Sequence, residues 1–203
     1  MLIRGEIAQM DTEGLYQVVK KMISPEDEAW NAFKDQLTYR KLKKHDLLWD
    51  IGEVCRDVGF ITKGTMRYFF YRNDDEVTGQ FFFENTFVTV YSSIITEKST
   101  ETAFQALEEV ELLMISKNSL YKLFDQYKCW ERFGRLMAEH TVVVMQRVRA
   151  DLTAATPKEK YLQLIKERPK VLERVPLHLI ASYLDMTPEH LSRVRREITE
   201  KNL

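Results

Sequence analysis

The chain has 203 residues, of which 44% are hydrophobic and 30% are charged. This balance is typical of a folded protein with a real core, and the length suits one large domain or two small ones. No apolar run is long enough for a secretory signal or a membrane span, so we expect a cytoplasmic protein with no membrane partner. The net charge of −1 argues against a protein that binds nucleic acid over its whole surface.

Charge is distributed unevenly along the chain. Residues 141–203 hold 12 basic and 8 acidic side chains, whereas residues 1–140 hold 18 basic and 23 acidic ones. A basic C-terminal third behind an acidic body suits a domain that binds DNA phosphates, although many surfaces vary this much. The two cysteines, Cys55 and Cys129, are far apart and lack CxxC spacing, which favours buried thiols over a zinc or iron–sulfur site.

Residues 1–43 show helix-like apolar spacing, which predicts helices at Asp11–Met22 and Pro25–Leu37. Ser24 precedes Pro25 and two acids, a pattern typical of a helix start with Ser24 as the N-cap.

Residues 45–116 consist of short β-branched or aromatic segments separated by glycines and polar clusters. Short strands at regular spacing predict a sandwich or a jelly-roll barrel. The run Phe81-Phe82-Phe83 predicts a strand buried on both faces rather than a platform on which bases stack. The predicted strands are Val58–Ile61, Thr65–Arg72, Val77–Phe83, Thr102–Ala106 and Val110–Ser116.

From Asn118 the spacing is helical, with Asn118 as the expected cap of a short helix through Asp125. A long helix is predicted from about Cys129 to Thr153, roughly 35 Å at ~1.5 Å per residue. Its apolar stripe needs a partner along its length, and we expect the barrel at its start and a second subunit along the rest. His140 on this stripe is more simply a packing residue than a ligand or pH sensor. The predicted dimer interface contains Phe133, Met137, His140, Val144, Arg147 and Val148.

The segment Thr156–Glu159 matches a capping box with proline at the first helical position, so a new helix is expected there, ending at Pro169. Ala154–Thr156 is therefore a candidate hinge between the long helix and a terminal helical domain.

Residues 176–198 predict a helix-turn-helix. The first helix starts at Pro176 and stops at Asp185-Met186. Thr187 is the expected cap of the second helix, and Met186 and Leu191 form a hydrophobic staple across that cap. The predicted inward positions are Leu177, Ile180, Ala181 and Leu184 in the first helix and Leu191, Val194 and Ile198 in the second.

The outer face of the second helix is polar and basic, with four side chains at i, i+3, i+4 and i+7. Arginine can bond guanine O6 and N7 together, and glutamate can accept from cytosine N4, so this face suits base recognition in the major groove. The alternative is an ordinary solvated helix stabilised by a Glu189–Arg193 pair. The predicted DNA-binding residues are Thr187, Pro188, Glu189, His190, Ser192, Arg193, Arg195 and Arg196, of which the last two could also contact phosphates.

Barrel, long helix, hinge and helix-turn-helix in this order resemble the Crp–Fnr family of bacterial transcription regulators. The resemblance rests on Gly52-Glu53-Val54 and Val58–Gly64 in the barrel, and on Val175-Pro176-Leu177 and Ile180–Arg195 in the last third. It implies an α+β fold: an N-terminal double-stranded β-helix (jelly-roll) barrel with flanking helices, a long dimerisation helix and a C-terminal helix-turn-helix domain. It further implies a homodimer that binds double-stranded DNA at a roughly palindromic site, with RNA polymerase as a further partner.

By the same resemblance we expect a cyclic-nucleotide-binding-like sensor barrel at residues 1–128, a dimerisation helix and hinge at 129–155 and the DNA-binding domain at 156–203. Only Thr199–Leu203 follow Ile198, so the family's β-hairpin wing is expected to be incomplete and the DNA affinity modest. Asp185 stands where a glycine is common in the turn, a position in which aspartate tolerates the left-handed conformation.

The effector region departs from the cyclic-nucleotide members. The glycine and the arginine that hold the cyclic phosphate are missing from the matching segments, Phe82–Thr86 and Ser99–Thr102. On the long helix, the cyclic-nucleotide members present a pair of hydroxyls to adenine, whereas this chain has Thr141 followed by Val142-Val143-Val144. We therefore expect that the chain binds neither cyclic AMP nor a cofactor. The polar side chains of this region could bind another small-molecule effector, or they could simply be surface residues, which is the simpler interpretation. The candidate pocket residues are Glu84, Tyr91, Ser92, Thr100, Thr102 and Thr141.

Two other functions compete with DNA binding. In the first, the barrel is a small-molecule sensor whose C-terminal helices contact a protein, but Arg193 and Arg196 on the exposed face favour DNA. The second is a cupin-like metalloenzyme, which needs two or three histidines on the barrel. Only His45 lies near it, and GxSxG, P-loop and GxGxxG motifs are missing, so neither an enzyme nor a metal site is expected. The four histidines are His45, His140, His178 and His190.

Overall fold

The computed structural model describes residues 12–154 and 156–200, and residues 147–154 through their backbone alone. It begins with two short helices, α1 at Glu13–Lys20 and α2 at Asp27–Lys34. The predicted start of the second helix at Ser24-Pro25 is wrong, because Glu26 is extended and precedes the first helical residue. Asp27 and Glu28 occupy the first turn of α2, where the helix dipole favours acidic side chains.

Among the described residues, eight strands form two four-stranded antiparallel sheets, with the orders β1-β8-β3-β6 and β2-β7-β4-β5. All five predicted strands are present, while β1, β2 and β6 were not predicted. Two of these have only three residues, and β1 is largely exposed, so none has a strong apolar alternation. The strands are β1 Thr38–Leu42, β2 Leu47–Trp49, β3 Asp57–Lys63, β4 Met66–Arg72, β5 Asp75–Phe82, β6 Thr86–Val88, β7 Ala103–Ala106 and β8 Val110–Ser116.

Helix α5, at Lys128–Ala154, is the predicted long helix and has 27 residues. Helix α4, at Lys117–Gln126, begins after Ser116, whose Oγ accepts a hydrogen bond from the Ser119 N–H at 3.1 Å. The predicted cap at Asn118 is therefore wrong. The other helices are α3 Tyr91–Thr96, α6 Pro157–Glu167, α7 Pro169–Arg174, α8 Leu177–Tyr183 and α9 Pro188–Glu200.

The predicted capping box at the start of α6 is confirmed. Thr156 Oγ1 accepts from the Glu159 N–H at 3.3 Å, and the Glu159 carboxylate accepts from the Thr156 N–H at 2.8 Å. Pro169 ends α6 as expected, but it also opens the short helix α7, which was not predicted. Of the candidate hinge, Ala155 lies outside the described residues.

Two separate cores hold the barrel together. Between the sheets, Trp49 and Phe104 of the second sheet pack with Ile61 and Leu112 of the first, and none of the four is more than 4% exposed. Outside the first sheet, α1, α2 and the start of α5 pack on β3 and β8. There the Trp130 indole N–H donates to the Ala29 carbonyl at 3.0 Å, which fixes the start of α5 to the barrel as predicted.

The four terminal helices pack against the outer face of the second sheet. Phe81 of β5 is 1% exposed within the core that these helices form. On the edge strand β5, the Thr78 N–H donates to Ser182 Oγ of α8 at 2.9 Å. Phe82 contacts the core between the sheets, so the predicted burial of this segment on both faces is confirmed, although Phe82 and Phe83 are only half-buried.

Candidate nucleic-acid interface

The predicted helix-turn-helix is present as α8 and α9, joined by residues 184–187. Ile180 and Ala181 of α8 are fully buried and share a core with Leu191 and Val194 of α9. Leu177, however, is 43% exposed, so its predicted inward position is wrong. It is the first residue of α8, and side chains of a helix tilt towards its N-terminus, so Leu177 has no preceding turn to cover it.

The turn between the helices follows the expected conformation. Asp185 has φ of 58°, in the left-handed region that aspartate tolerates. The Met186 N–H donates to the Ala181 carbonyl at 2.9 Å, which closes the end of α8. The Asp185 carboxylate also accepts from Arg72 of β4 at 3.1 Å, so the turn is tied to the barrel.

The start of α9 is built as predicted. Thr187 Oγ1 accepts from the His190 N–H at 3.2 Å, and Pro188 is the first helical residue. Hydrogen bonds from the Glu189 backbone N–H and from Thr187, with a smaller effect of the Arg193 charge, lower the pKa of the Glu189 carboxyl. Glu189 is therefore an ionised acceptor at neutral pH, as contact with a base donor requires.

The outer face of α9 is open to solvent. Ser192, Arg193, Arg195 and Arg196 are all exposed, while His190 is half-buried. Within residues 12–154 and 156–200, no carboxylate forms an ion pair with any of these arginines. The alternative of a helix stabilised by a close Glu189–Arg193 pair is therefore not what the structure shows, and the guanidinium groups are available to a partner.

The candidate pocket residue Glu84 lies between the barrel and the terminal helices. Its carboxylate accepts a hydrogen bond from Arg174 Nη1 at 2.8 Å and one from the Gly64 N–H at 3.1 Å, and Arg174 Nη2 forms an ion pair with it at 2.7 Å. Arg174 and, less strongly, the backbone N–H groups lower the pKa of Glu84 to about 2. Arg174 also pairs with Glu108, so Glu84 is part of a link between domains.

The other candidate pocket residues make contacts of their own rather than one shared site. Thr100 Oγ1 donates to the Thr102 carbonyl at 3.0 Å, and Thr141 Oγ1 donates to the Met137 carbonyl of its own helix at 2.8 Å. Tyr91 is 50% exposed on α3, and the neighbouring Ser92 is exposed as well. The structure thus brings together only Thr100 and Thr102 of the six.

Aromatic side chains occupy the space between the sheets. The Phe104 ring centroid lies 5.3 Å from that of Trp49, 5.8 Å from Tyr68 and 5.4 Å from Phe82. Gly79 makes this packing possible, because a Cβ there would lie 2.0 Å from the Tyr68 ring. Sequence reasoning missed this cluster, since rings from four strands meet only through the sheet register.

The predicted dimer residues on α5 divide into two groups. Phe133 is 5% exposed and packs with Phe87 in the barrel's outer core, so its assignment to a subunit interface is wrong. Met137 is half-buried against the same core, whereas His140 is exposed and Val144 is 36% exposed. The side chains of Arg147 and Val148 lie outside the described residues. Three further apolar side chains are exposed on this helix: Val142 at 54%, Val143 at 63% and Met145 at 66%.

Several polar links between the barrel and the terminal helices were not predicted. Arg168 donates to the Phe81 carbonyl at 2.6 Å and lies over the Tyr183 ring. Ser182 Oγ accepts from Thr78, and Arg174 holds Glu84. The partners are 87 to 104 residues apart in the chain, and local sequence patterns carry no signal for such pairs.

Over the described part of the chain, no group of three histidine, cysteine or acidic side chains is placed to hold a metal ion. In that same part no helix is long and apolar enough to cross a membrane.

The sequence of residues 39–127 matches the family model of the cyclic nucleotide-binding domain. No curated protein matches the chain.

Solved structures share the fold over most of the chain. The regulator CLP of Xanthomonas campestris, described as responsive to c-di-GMP, has a TM-score of 0.68 at 16% identity, covering 88% of this chain and 94% of its own. FixK2 from Bradyrhizobium japonicum has a TM-score of 0.68 at 16% identity, with coverage of 82% and 86%. A transcriptional regulator described as of the Crp/Fnr family, from Eubacterium rectale, has a TM-score of 0.64 at 16% identity, with coverage of 87% and 85%.

Proposed function

Because residues 39–127 match the family model of the cyclic nucleotide-binding domain and most of the chain shares the fold of Crp–Fnr transcription regulators, we propose that it is a sequence-specific DNA-binding regulator acting as a homodimer. In this proposal residues 1–128 are the sensor domain, 129–155 the dimerisation helix and hinge, and 156–203 the DNA-binding domain.

The observation that carries the proposal is the outer face of α9. It presents exposed arginines, which form no ion pair within the described segments, beside an ionised Glu189 on a helix whose inner face is buried. In a helix-turn-helix the N-terminal residues of the second helix contact base edges in the major groove. Glu189 and Arg193, near that end, are the proposed base contacts. Thr187, Pro188, His190 and Ser192 flank them, and Arg195 and Arg196 could reach phosphates.

Dimerisation is proposed along the middle of α5. Val142, Val143, Val144 and Met145 form an exposed apolar segment of a helix that continues to Ala154. Contiguous apolar surface of this kind marks an interaction site, and a second copy of α5 would cover it symmetrically. Paired recognition helices would then meet half-sites about 34–36 Å apart on a roughly palindromic operator.

Cyclic AMP is not the proposed effector. In the described barrel the space between the sheets is filled by Trp49, Tyr68, Phe82 and Phe104. The Glu84 carboxylate is already held by Arg174, and a cyclic phosphate beside carboxylates without a free arginine would be poorly bound.

The test is selection of DNA from a random-sequence pool by the purified full-length protein at fixed salt, beside Arg193→Ala and Arg56→Ala. Arg56 is an exposed barrel arginine and serves as the matched control. We expect enrichment of a two-fold symmetric site by the wild type and the control. Arg193→Ala should relax the choice of one base pair in each half-site, a loss of about 1–3 kcal/mol of discrimination.

If all three proteins enrich the same site equally, Arg193 does not read bases. If no protein enriches DNA, even with cell extract added, the proposal fails, and the alternative of a sensor whose terminal helices contact a protein takes its place.

A further inference from the structure

A cleft of about 820 Å³ lies between the C-terminal end of α1 and the first turns of α5, away from the helix-turn-helix. Its floor is formed by Met22, by the buried Ile23 and by the half-buried Cys129. The residues that line it are Lys20, Lys21, Met22, Ile23, Ser24, Lys128, Cys129, Glu131, Arg132 and Arg135.

The charge of this cleft is opposite to that of the chain as a whole. Five of its ten lining residues are lysine or arginine and one is acidic, in a protein of net charge −1. Lys128, Arg132 and Arg135 fall at i, i+4 and i+7 and therefore share one face of α5. Lys20 and Lys21, at the end of α1, line the same cleft, so both helices contribute cations to it.

Most of these cations lack a compensating carboxylate. Throughout the described segments, no acidic side chain forms an ion pair with Lys21, Lys128 or Arg132. Arg135 pairs with Glu139 at 2.6 Å, but both side chains are more than half exposed, so water screens that pair.

The N-terminus of α5 opens into the same cleft, since Lys128 is its first residue and Cys129 its second. A 27-residue helix presents a partial positive charge at this end. The helix end and the side chains therefore act together on one concave surface, which is the arrangement that binds phosphate groups in proteins.

We propose that this cleft binds a small molecule that carries two or more adjacent phosphates. A chain of phosphates can contact the cations of α1 and those of α5 at the same time. The inference goes beyond DNA recognition and does not depend on it.

A DNA duplex is disfavoured as the occupant. The cleft lies on the side of the first sheet, where α1 and α5 pack, whereas α8 packs against β5 of the second sheet and α9 packs on α8. A duplex on α9 would therefore leave the cleft on the far side of the barrel.

Cys129 provides a built-in reporter of occupancy. It is one of two cysteines in the chain, and the other, Cys55, is 1% exposed. A ligand seated over Cys129 should shield its thiol from an alkylating reagent while leaving the slow reaction of Cys55 unchanged.

The experiment titrates the full-length protein with inorganic tripolyphosphate at about 0.15 M salt, where exposed charges are screened beyond ~8 Å. Binding is measured by calorimetry and by protection of Cys129 from alkylation. Lys21→Gln/Arg132→Gln removes two cleft cations, and Lys44→Gln/Arg56→Gln removes two exposed barrel cations as the charge-matched control.

We expect saturable binding with protection of Cys129 in the wild type, in the control and in Arg193→Ala, and at least tenfold weaker binding in the cleft variant. Adenosine triphosphate should compete. Tighter binding than tripolyphosphate would identify a nucleotide, and equal binding would show that the phosphate chain alone is recognised.

Equal binding by the cleft variant and the control, or binding without protection of Cys129, would overturn the proposal. Displacement of tripolyphosphate by a short DNA duplex from wild type and Arg193→Ala alike would overturn it too, because the site would then be one for nucleic acid.

Discussion

Replacing Arg174 by glutamine tests whether one guanidinium fixes the terminal helices to the barrel. Arg174 donates a hydrogen bond to Glu84 and forms ion pairs with Glu84 and Glu108, and it lies 5.6 Å from the Phe83 ring centroid. The pKa of Glu84 falls from 4.5 to about 2, which corresponds to roughly 3.4 kcal/mol at 1.36 kcal/mol per pH unit. Backbone N–H groups supply part of this shift, and about a quarter of each side chain is exposed, so about 2 kcal/mol is the expected contribution of Arg174.

The difference in unfolding free energy between wild type and Arg174→Gln should depend on pH, because folding lowers the pKa of Glu84. A carboxyl group whose pKa is lowered by folding adds stability above its unfolded pKa of about 4.5, and that stability is lost as the pH falls towards 2. Urea unfolding of wild type and Arg174→Gln should therefore differ by about 2 kcal/mol at pH 7 and by less than half of that at pH 3. The reasoning is refuted by a difference that stays constant over this range.

Arg135→Gln is the matched control for this measurement. Its ion pair with Glu139 is an exposed pair within one helix, with side chains 59% and 56% exposed. The free energy of unfolding should change by no more than about 0.5 kcal/mol.

Three other predictions address DNA binding, dimerisation and the barrel interior. Replacing Arg196 by alanine should weaken binding to specific and random DNA alike and reduce the slope of log K against log salt by about 1, and an unchanged slope would remove Arg196 from the phosphate contacts. Val143→Asp should yield a folded monomer in sedimentation, since the apolar side chain is 63% exposed, while Val77→Asp on the barrel, if it remains folded, should not alter the association state. A protein that is monomeric before the Val143 change would contradict the proposed interface. Phe104→Ala should lower the free energy of unfolding by about 3–5 kcal/mol and Phe104→Leu by less, with apolar probes such as benzene binding only to the alanine variant.

Local patterns in the sequence were sufficient for the helix-turn-helix. Thr187 and Pro188 define a helix start, and the 3.6-residue period separates the buried Leu191 and Val194 from the exposed arginines. Both signals lie within one or two turns of helix, where chain connectivity already fixes the neighbours. The one inward position that failed, Leu177, lies at a helix end, where the period no longer guarantees a neighbour.

The features that could not be predicted from the sequence depend on contacts between residues that are far apart in the chain. Phe133 has the same period as the rest of the α5 stripe, and only its contact with Phe87 shows that the barrel covers it. Glu84 was predicted to line a pocket because it lies in the segment Phe82–Thr86, which corresponds to the cyclic-phosphate site of the cyclic-nucleotide members. Its real partner, Arg174, is 90 residues away and comes from a helix that was not predicted.

Helix α8 connects the barrel directly to the proposed DNA-binding helix α9. Strand β5 is an edge strand, so its outward N–H groups need partners, and Ser182 of α8 supplies one to Thr78. Asp185, in the turn beside α9, is held by Arg72 on the adjacent strand. The helix-turn-helix is thus connected to the barrel by hydrogen bonds at β4 and β5 as well as by the chain that leaves α5. In the proposed regulator a displacement of β5 would move α8 directly, so a signal from the barrel would reach α9 without passing through the proposed hinge after α5. Because the arginine face of α9 takes no part in these contacts, it stays open while α8 remains docked.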